Sequence, residues 1–243
     1  MTTYEKLYII LQPFLAQHYK LVRKALKQIV PTNVPKLKLL DIGGRKSNYT
    51  VGINVDVDII DLPRESEVQI DTKLGLSSAV IDEVKQRRTN ISNIFLGNIK
   101  EVDLPSAPYD IITSVEVIEH DPEPERHLKK LASFLKKDGF LVLTTPNGTA
   151  VQNAHPDHFK EYTAEELYDL LIPHFEDVKV SHQIKRNFFF FQSYTSWYPI
   201  TFKSFYLIPW VFFCTVIVNF INYFSNIDAK SAHTLLAIAS KPR

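Results

Sequence analysis

Cysteine is nearly absent: the 243-residue chain has one, Cys214, inside an apolar run. A single thiol excludes an intrachain disulfide framework and suits a reducing cytosol, with the side chain read as core rather than nucleophile. An excess of charge of either sign is missing too, since 28 basic residues face 27 acidic ones. The electrostatic footprint of a general nucleic-acid binder is therefore lacking, although a local basic patch stays open. No secretory leader is read at the N-terminus. Glu5 precedes the apolar stretch Leu7 to Ala16, Gln12 and Pro13 interrupt it, and no small-x-small cleavage site follows. What remains is the composition of an ordinary globular chain, long enough to bury one full core.

Apolar positions including Leu7, Ile10, Leu11, Phe14, Val22, Leu26 and Ile29 recur at helical spacing. They predict one amphipathic helix kinked at Pro13, or two short ones, in an N-terminal extension over residues 1–35 that covers one end of the core. From residue 37 strands and helices alternate. Strands are predicted over Leu37 to Ile42, Val55 to Leu62, Ile94 to Gly97, Tyr109 to Val115 and Phe140 to Thr145. Helices are predicted over Ser77 to Arg88 and over Glu123 to Lys137, the latter stopped by Asp138-Gly139 as a C-cap. Thr163 and Glu166 form a capping box for a helix through Ile172, and Val178 to Ile184 and Thr234 to Ala239 read as closing strands. The alternation implies a single α/β domain, Rossmann-like and doubly wound, with a mostly parallel sheet covered on both faces. Ligands of such sheets bind beyond the carboxyl ends of the strands.

The first strand ends Leu40-Asp41-Ile42-Gly43-Gly44. Two glycines there let the backbone turn tightly and approach a ligand with no Cβ in the way. Twenty positions past Asp41, Asp61 closes the second strand, where a carboxylate accepts hydrogen bonds from ribose hydroxyls. A nicotinamide-dependent dehydrogenase fits worse, because the third glycine of the dinucleotide fingerprint is missing and nothing downstream marks a hydride-transfer site.

Taken with two further segments, this end of the first strand resembles the class I S-adenosylmethionine-dependent methyltransferases. The segments are Tyr109 to Val115 running into Glu116-Val117-Ile118-Glu119-His120, and Leu135-Lys136-Lys137-Asp138-Gly139 running through Phe140 to Pro146-Asn147. The resemblance covers about residues 37 to 184, and Thr234 to Ala239 resembles the family's antiparallel last strand, which gives a sheet of about seven strands. It implies that Gly43 and Gly44 lie under the methionine portion of the cofactor, with Asp61 and Leu62 at the ribose, Asn98 and Ile99 bordering the adenine, and Val115 at the strand end. One departure is visible: Arg45, Lys46 and Ser47 replace the family's further glycines, and only about ten residues separate Gly44 from the second strand. The first crossover helix must be short or absent, so Arg45 or Lys46 is expected to supply positive charge to the cofactor carboxylate.

Glu116, Glu119 and His120 are spaced so that one helical turn could present all three on one face, and His155-Pro156-Asp157-His158 adds two imidazoles after the fifth strand. Glu116, His120 and His158 are the candidate catalytic groups. Glu116, Glu119, His120 and His158 could also hold a divalent metal such as magnesium that lowers an acceptor hydroxyl's pKa. The Glu-x-x-Glu-His pattern resembles metal-assisted O-methyltransferases, both the ubiquinone-pathway enzymes and the small-RNA 3′-end 2′-O-methyltransferases. A Glu-His turn also occurs in relatives that use no metal, which leaves His120 or His158 as a plain general base.

Residues 185–232 form an aromatic-rich insertion, including Phe188-Phe189-Phe190-Phe191, Trp197, Trp210 and the run Phe205 to Phe224. A structureless loop of that length is improbable, so helices are expected there. The run is about long enough to cross a bilayer. A single span would leave Thr234 to Ala239 on the wrong side of the sheet it must rejoin, and Pro209, Asn219 and Asn222 weaken it further. The readings are extra helices packed on the core, a lid over an apolar acceptor, a homodimer surface, or a peripheral in-plane membrane contact of a cytoplasmic protein. The expectation is O-methylation of a small or lipid-linked hydroxyl acceptor. The alternatives are an RNA 2′-O-methyltransferase, opposed by the balanced charge, and a cofactor-binding scaffold without activity.

Overall fold

The computed structural model describes residues 1–12, 17–33, 35–44, 47–64, 75–151, 157–194 and 208–243. Two N-terminal helices, α1 (Thr3–Leu11) and α2 (Gln17–Ile29), precede β1 (Leu37–Ile42) and β2 (Val55–Asp61). Then come α3 (Ser78–Arg87), β3 (Ile91–Leu96), β4 (Tyr109–Val115), α4 (Pro124–Phe134), β5 (Leu135–Pro146), α5 (Ala164–Leu171) and β6 (Phe175–Lys185). The chain closes with α6 (Phe188–Tyr194), α7 (Ile208–Phe224) and β7 (Ala232–Pro242). The strands make one seven-stranded sheet in the order β3-β2-β1-β4-β5-β7-β6, with β7 antiparallel to both neighbours and the remaining pairings parallel. This is the doubly wound, Rossmann-like architecture with an antiparallel last strand that the alternation and the resemblance imply.

The strands are nearly continuous runs of β-branched and leucine residues because both faces are covered. On one face Leu40, Ile42, Ile112, Leu141 and Leu143 pack under Leu128 and Leu131 of α4 and Leu167 and Leu171 of α5. On the other, Leu39, Val55, Val57 and Ile111 pack under Val22, Ala25 and Leu26 of α2 and Val84 of α3. Between β1 and β2 the described residues form a 3-10 turn, Asn48–Thr50, and no crossover helix is formed among them. Helix α2 packs against that turn and covers the adjoining sheet face.

The expected helix Glu123 to Lys137 ends earlier, at Phe134, and β5 starts at Leu135. Gly139 is therefore a strand residue rather than a C-cap. The register along β4 jumps from Tyr109↔Leu135 to Ile111↔Phe140, so β5 carries extra residues there. A Cβ on Gly139 would lie 2.9 Å from the Lys136 carbonyl oxygen and 3.2 Å from that of Asp110. The glycine allows backbones to approach at a bulge. By contrast, the Thr163 capping box forms as read: Glu166 N donates to Thr163 Oγ1 at 3.2 Å, and Thr163 N donates to Glu166 Oε2 at 2.9 Å.

The insertion contains the expected helices, α6 and α7, but they bury little. Phe190 and Val218 join Ile184 in a small separate cluster, and Cys214 is buried as expected. Trp210, Phe212, Phe213, Phe220, Tyr223 and Phe224 are exposed, so these aromatic side chains are not the core residues that apolar composition alone favours. Trp197 and Phe205 lie outside the described residues. Among the described residues, no helix is long and apolar enough to cross a membrane.

Candidate active site

Strands β1, β2, β4 and β5 run parallel, so their carboxyl ends share one edge of the sheet. A cleft of about 320 Å³ opens there, lined by Gly43, Asp61, Leu62, Asn98 and Ile99 among the residues expected at the cofactor, and by His120. The Gly43 N–H donates to the Ile60 carbonyl at 2.9 Å, tying the loop after β1 to β2. Gly43 has φ +66°, and a Cβ there would meet Val117 at 2.8 Å, so this position requires glycine. Gly44 requires it for space: a Cβ would lie 1.8 Å from Asp41 Oδ2. Arg45 and Lys46 lie outside the described residues. Gly44 and Val115 do not line the cleft, where the wall after β4 is made by Val117.

Asp41 is also set back from the cleft. It is fully buried, and Oδ1 accepts from Tyr49 Oη and, at 2.8 Å, from Thr113 Oγ1. Its role here is to support the loop from below. Burial raises its pKa to about 6, against hydrogen bonds from Ser47, Tyr49 and Thr113 that pull it down. A carboxyl whose folded pKa lies above its unfolded value contributes stability that is fully present below about pH 4 and is lost as pH rises through about 6. Asp41→Asn is expected to flatten the stability profile across that window, which thermal melts from pH 4 to pH 7 would show as a smaller loss than in the wild type.

The catalytic candidates converge, but not on a helical turn. Glu116 follows β4 directly with φ +55°, and a 3-10 turn, Ile118–His120, comes next. The left-handed residue breaks the helical path, so the expected single face carrying Glu116, Glu119 and His120 is not formed. Instead the Glu119 carbonyl accepts from Phe159 N at 2.8 Å, which clamps the segment bearing His158 against the turn bearing His120. The two imidazoles meet edge to face, with centroids 4.6 Å apart. One ligand atom from each of Glu119, His120 and His158 lies within 4.8 Å of the others. Glu116 is not part of that trio, and His155 lies outside the described residues.

Each of these groups is held by specific contacts. His120 Nδ1 lies 3.1 Å from the Asp157 carbonyl oxygen, and His158 Nδ1 lies 3.1 Å from Glu161 Oε1. A carbonyl or carboxylate only accepts, so each Nδ1 is the donor in these contacts. Glu119 Oε2 accepts from Thr145 Oγ1 at 3.0 Å, while Oε1 of Glu119 and Oε1 of Glu116 are buried with no hydrogen-bond partner among the described residues. Burial raises Glu116 to about 7, and burial followed by the Glu116 charge pushes Glu119 well above the usual carboxylate range. Glu119, with an orphaned carboxyl oxygen, and the two imidazoles beside it form a candidate site for a cation.

A second polar group on the cleft wall escapes sequence reasoning. Asp121 Oδ1 pairs with Lys100 Nζ at 2.7 Å, and Asp121 Oδ2 lies 2.9 Å from His127 Nδ1. Burial works to raise Asp121, and the His127 ring and the Lys100 ammonium more than offset it, holding the carboxyl well below its usual range. Lys100, Asp121 and His127 all line the cleft and join the β3 loop to α4. The one signal in the sequence was a histidine next to Leu128 on the apolar face of α4.

A family model described as a methyltransferase domain matches residues 14–183, more than half of the chain. This chain belongs to the class I S-adenosylmethionine-dependent methyltransferases. A probable S-adenosylmethionine-dependent methyltransferase of Mycobacterium tuberculosis is 32% identical over 84 residues, covering 32% of this chain and 31% of that protein. The ubiquinone biosynthesis O-methyltransferase of Coxiella burnetii is 34% identical over 80 residues, covering 31% of this chain and 34% of that one. The matched segment thus spans about a third of the length of these relatives. An S-adenosylmethionine-dependent methyltransferase structure from Archaeoglobus fulgidus superposes with a TM-score of 0.56 at 18% identity, covering 96% of this chain and 99% of that one. A Haemonchus contortus phosphoethanolamine N-methyltransferase bound to S-adenosylhomocysteine gives a TM-score of 0.59 at 14% identity, covering 91% and 52%. The cleft fits the family's cofactor: glycine backbone lies at the end of β1, a carboxylate at the end of β2, and Asn98 beyond β3.

Proposed function

We propose that this protein transfers the methyl group of S-adenosylmethionine to the hydroxyl oxygen of a small or lipid-linked acceptor. The observation that carries the reading is that His120 belongs to both places, lining the cofactor cleft and joining Glu119 and His158 in the donor cluster. Residues Gly43, Asp61, Leu62, Asn98 and Ile99 would hold the cofactor in that cleft, with Asp61 accepting from the ribose. In the transfer, the acceptor oxygen gives up its proton and forms a bond to the methyl carbon, while the carbon–sulfur bond breaks and its electron pair stays on sulfur. His120, whose Nδ1 lies against the Asp157 carbonyl, would take that proton through Nε2.

A divalent ion at the cluster is favoured by the donor set. Two imidazoles whose Nδ1 atoms are pinned by a carbonyl and a carboxylate, beside an orphaned carboxyl oxygen, reproduce the outer contacts that orient metal-bound histidines. Glu119, His120 and His158 would hold it, and its chemistry would be to lower the acceptor hydroxyl's pKa. The two imidazoles suit iron, nickel or zinc and the carboxylate suits manganese, so a mixed donor set fits these ions better than magnesium, which prefers oxygen ligands throughout. Treatment with a chelator is expected to abolish methyl transfer, with manganese restoring it. Full activity in chelator would assign the proton to His120 alone.

A further inference from the structure

The aromatic insertion is charge-biased in a way the whole chain is not. Residues 185–232 hold four basic residues and one acid, Asp228, whereas the rest holds 24 basic and 26 acidic residues. This segment also carries the exposed rings. On α7 the buried positions Cys214, Thr215 and Val218 define an inward face. Phe213, Phe220 and Phe224, spaced seven and four apart, define an outward one with Tyr223 beside it. Phe220, Tyr223 and Phe224 are 64%, 82% and 69% exposed. Phe188 and Phe191 of α6 are exposed as well, and the Arg186 guanidinium sits over the Phe191 ring at 5.5 Å. Monomeric proteins rarely leave this much contiguous aromatic surface open to water without a use for it.

The insertion is rooted at the catalytic edge. Strands β5 and β6 are both antiparallel to β7, so the carboxyl end of β6 and the start of β7 lie at the edge where β4 presents Glu116. Asn147, at the end of β5, donates through Nδ2 to the carbonyls of Ala229 and Ala232 at 2.6 and 3.0 Å.

We propose that the α6–α7 face docks in the plane of an anionic bilayer surface, with the aromatic rings at the headgroup boundary and Lys185 and Arg186 facing anionic headgroups. Charge selects this occupant. A second copy would set two net-positive segments against each other, and a single-stranded nucleic acid, which also stacks on rings, would need a basic groove along its backbone, whereas α7 carries no basic residue. Delivery of a lipid-linked acceptor to His120 rests on the hydroxyl-acceptor reading above; the docking itself does not.

The test is flotation of the full-length protein, without cofactor, with vesicles of phosphatidylcholine alone or mixed in equal parts with phosphatidylglycerol. The protein is expected to float with the anionic vesicles, to be largely released by salt, and to stay behind with the neutral ones. A Phe220→Ser, Tyr223→Ser, Phe224→Ser variant should partition about tenfold less or worse, with unchanged melting temperature and S-adenosylmethionine binding. A Lys185→Gln, Arg186→Gln variant should lose about fivefold per charge. Wild type that stays behind with both vesicles would overturn the proposal, as would undiminished flotation of the triple variant. A dimer seen by ultracentrifugation and abolished in the triple variant would give the face to a second copy instead. Flotation without methyl transfer to any lipid-linked hydroxyl compound would leave the docking standing and remove the acceptor reading.

Discussion

His120→Ala is expected to lower kcat by about a hundred- to ten-thousand-fold, the range of a lost general base or ligand group, while cofactor affinity moves far less. The asymmetry follows from position. His120 is one residue of a cleft wall shared with backbone and apolar side chains, so truncating it leaves the cofactor most of its contacts. At the donor cluster it is one of three groups, and the other two do not duplicate it. Glu119 is tied to Thr145, and His158 is oriented by Glu161. His120→Gln keeps a polar side chain of similar reach but no group that takes a proton near neutral pH, and it should fall in the same range. Single-turnover kinetics with saturating cofactor separates the chemical step from binding.

Asp61→Ala is expected to act on the other side, weakening S-adenosylmethionine binding by about ten- to a hundredfold, the worth of one or two hydrogen bonds to a charged acceptor. Asp61 Oδ1 accepts from Leu62 N at 2.8 Å, which fixes the carboxylate at the strand end before any ligand arrives. The Asp61 carbonyl accepts from Gly97 N at 3.0 Å, joining the end of β2 to the loop after β3. Only the side-chain contact is lost in the variant, so the cleft should persist and the loss should appear in the cofactor Kd by calorimetry, with kcat at saturation nearly preserved. An unchanged Kd would place the ribose elsewhere.

These two residues also show what could be read from the chain alone. Asp61 was legible because the distance from one strand end to the next is set by local geometry: a strand, a turn and a second strand leave the acid at the sheet edge. The Glu-x-x-Glu-His pattern likewise placed Glu119 and His120 correctly at the end of β4. Their geometry was not legible. A left-handed Glu116 replaces the helical turn that the spacing favours, and the partner that completes the cluster, His158, arrives through backbone hydrogen bonds to Glu119. Lys100, Asp121 and His127 were invisible for the same reason, since three unremarkable polar residues become one network only when the β3 loop meets α4. The end of α4 was misplaced because Asp138-Gly139 reads as a helix stop, whereas the register along β4 makes it a bulge. The length of the insertion predicted helices there, but its composition did not say which way they face, because a phenylalanine has the same hydropathy in a core and on an exposed surface.

The most direct test of a hydroxyl-directed methyltransferase centred on His120 is incubation of the protein with methyl-labelled S-adenosylmethionine and fractionated lipid, small-molecule and RNA extracts, alongside the His120→Ala variant. Label should appear in a lipid or small-molecule product as a methyl ether, stable to mild alkali, and should be lost with His120→Ala. Label retained by that variant, label confined to RNA, or label in no fraction would contradict it.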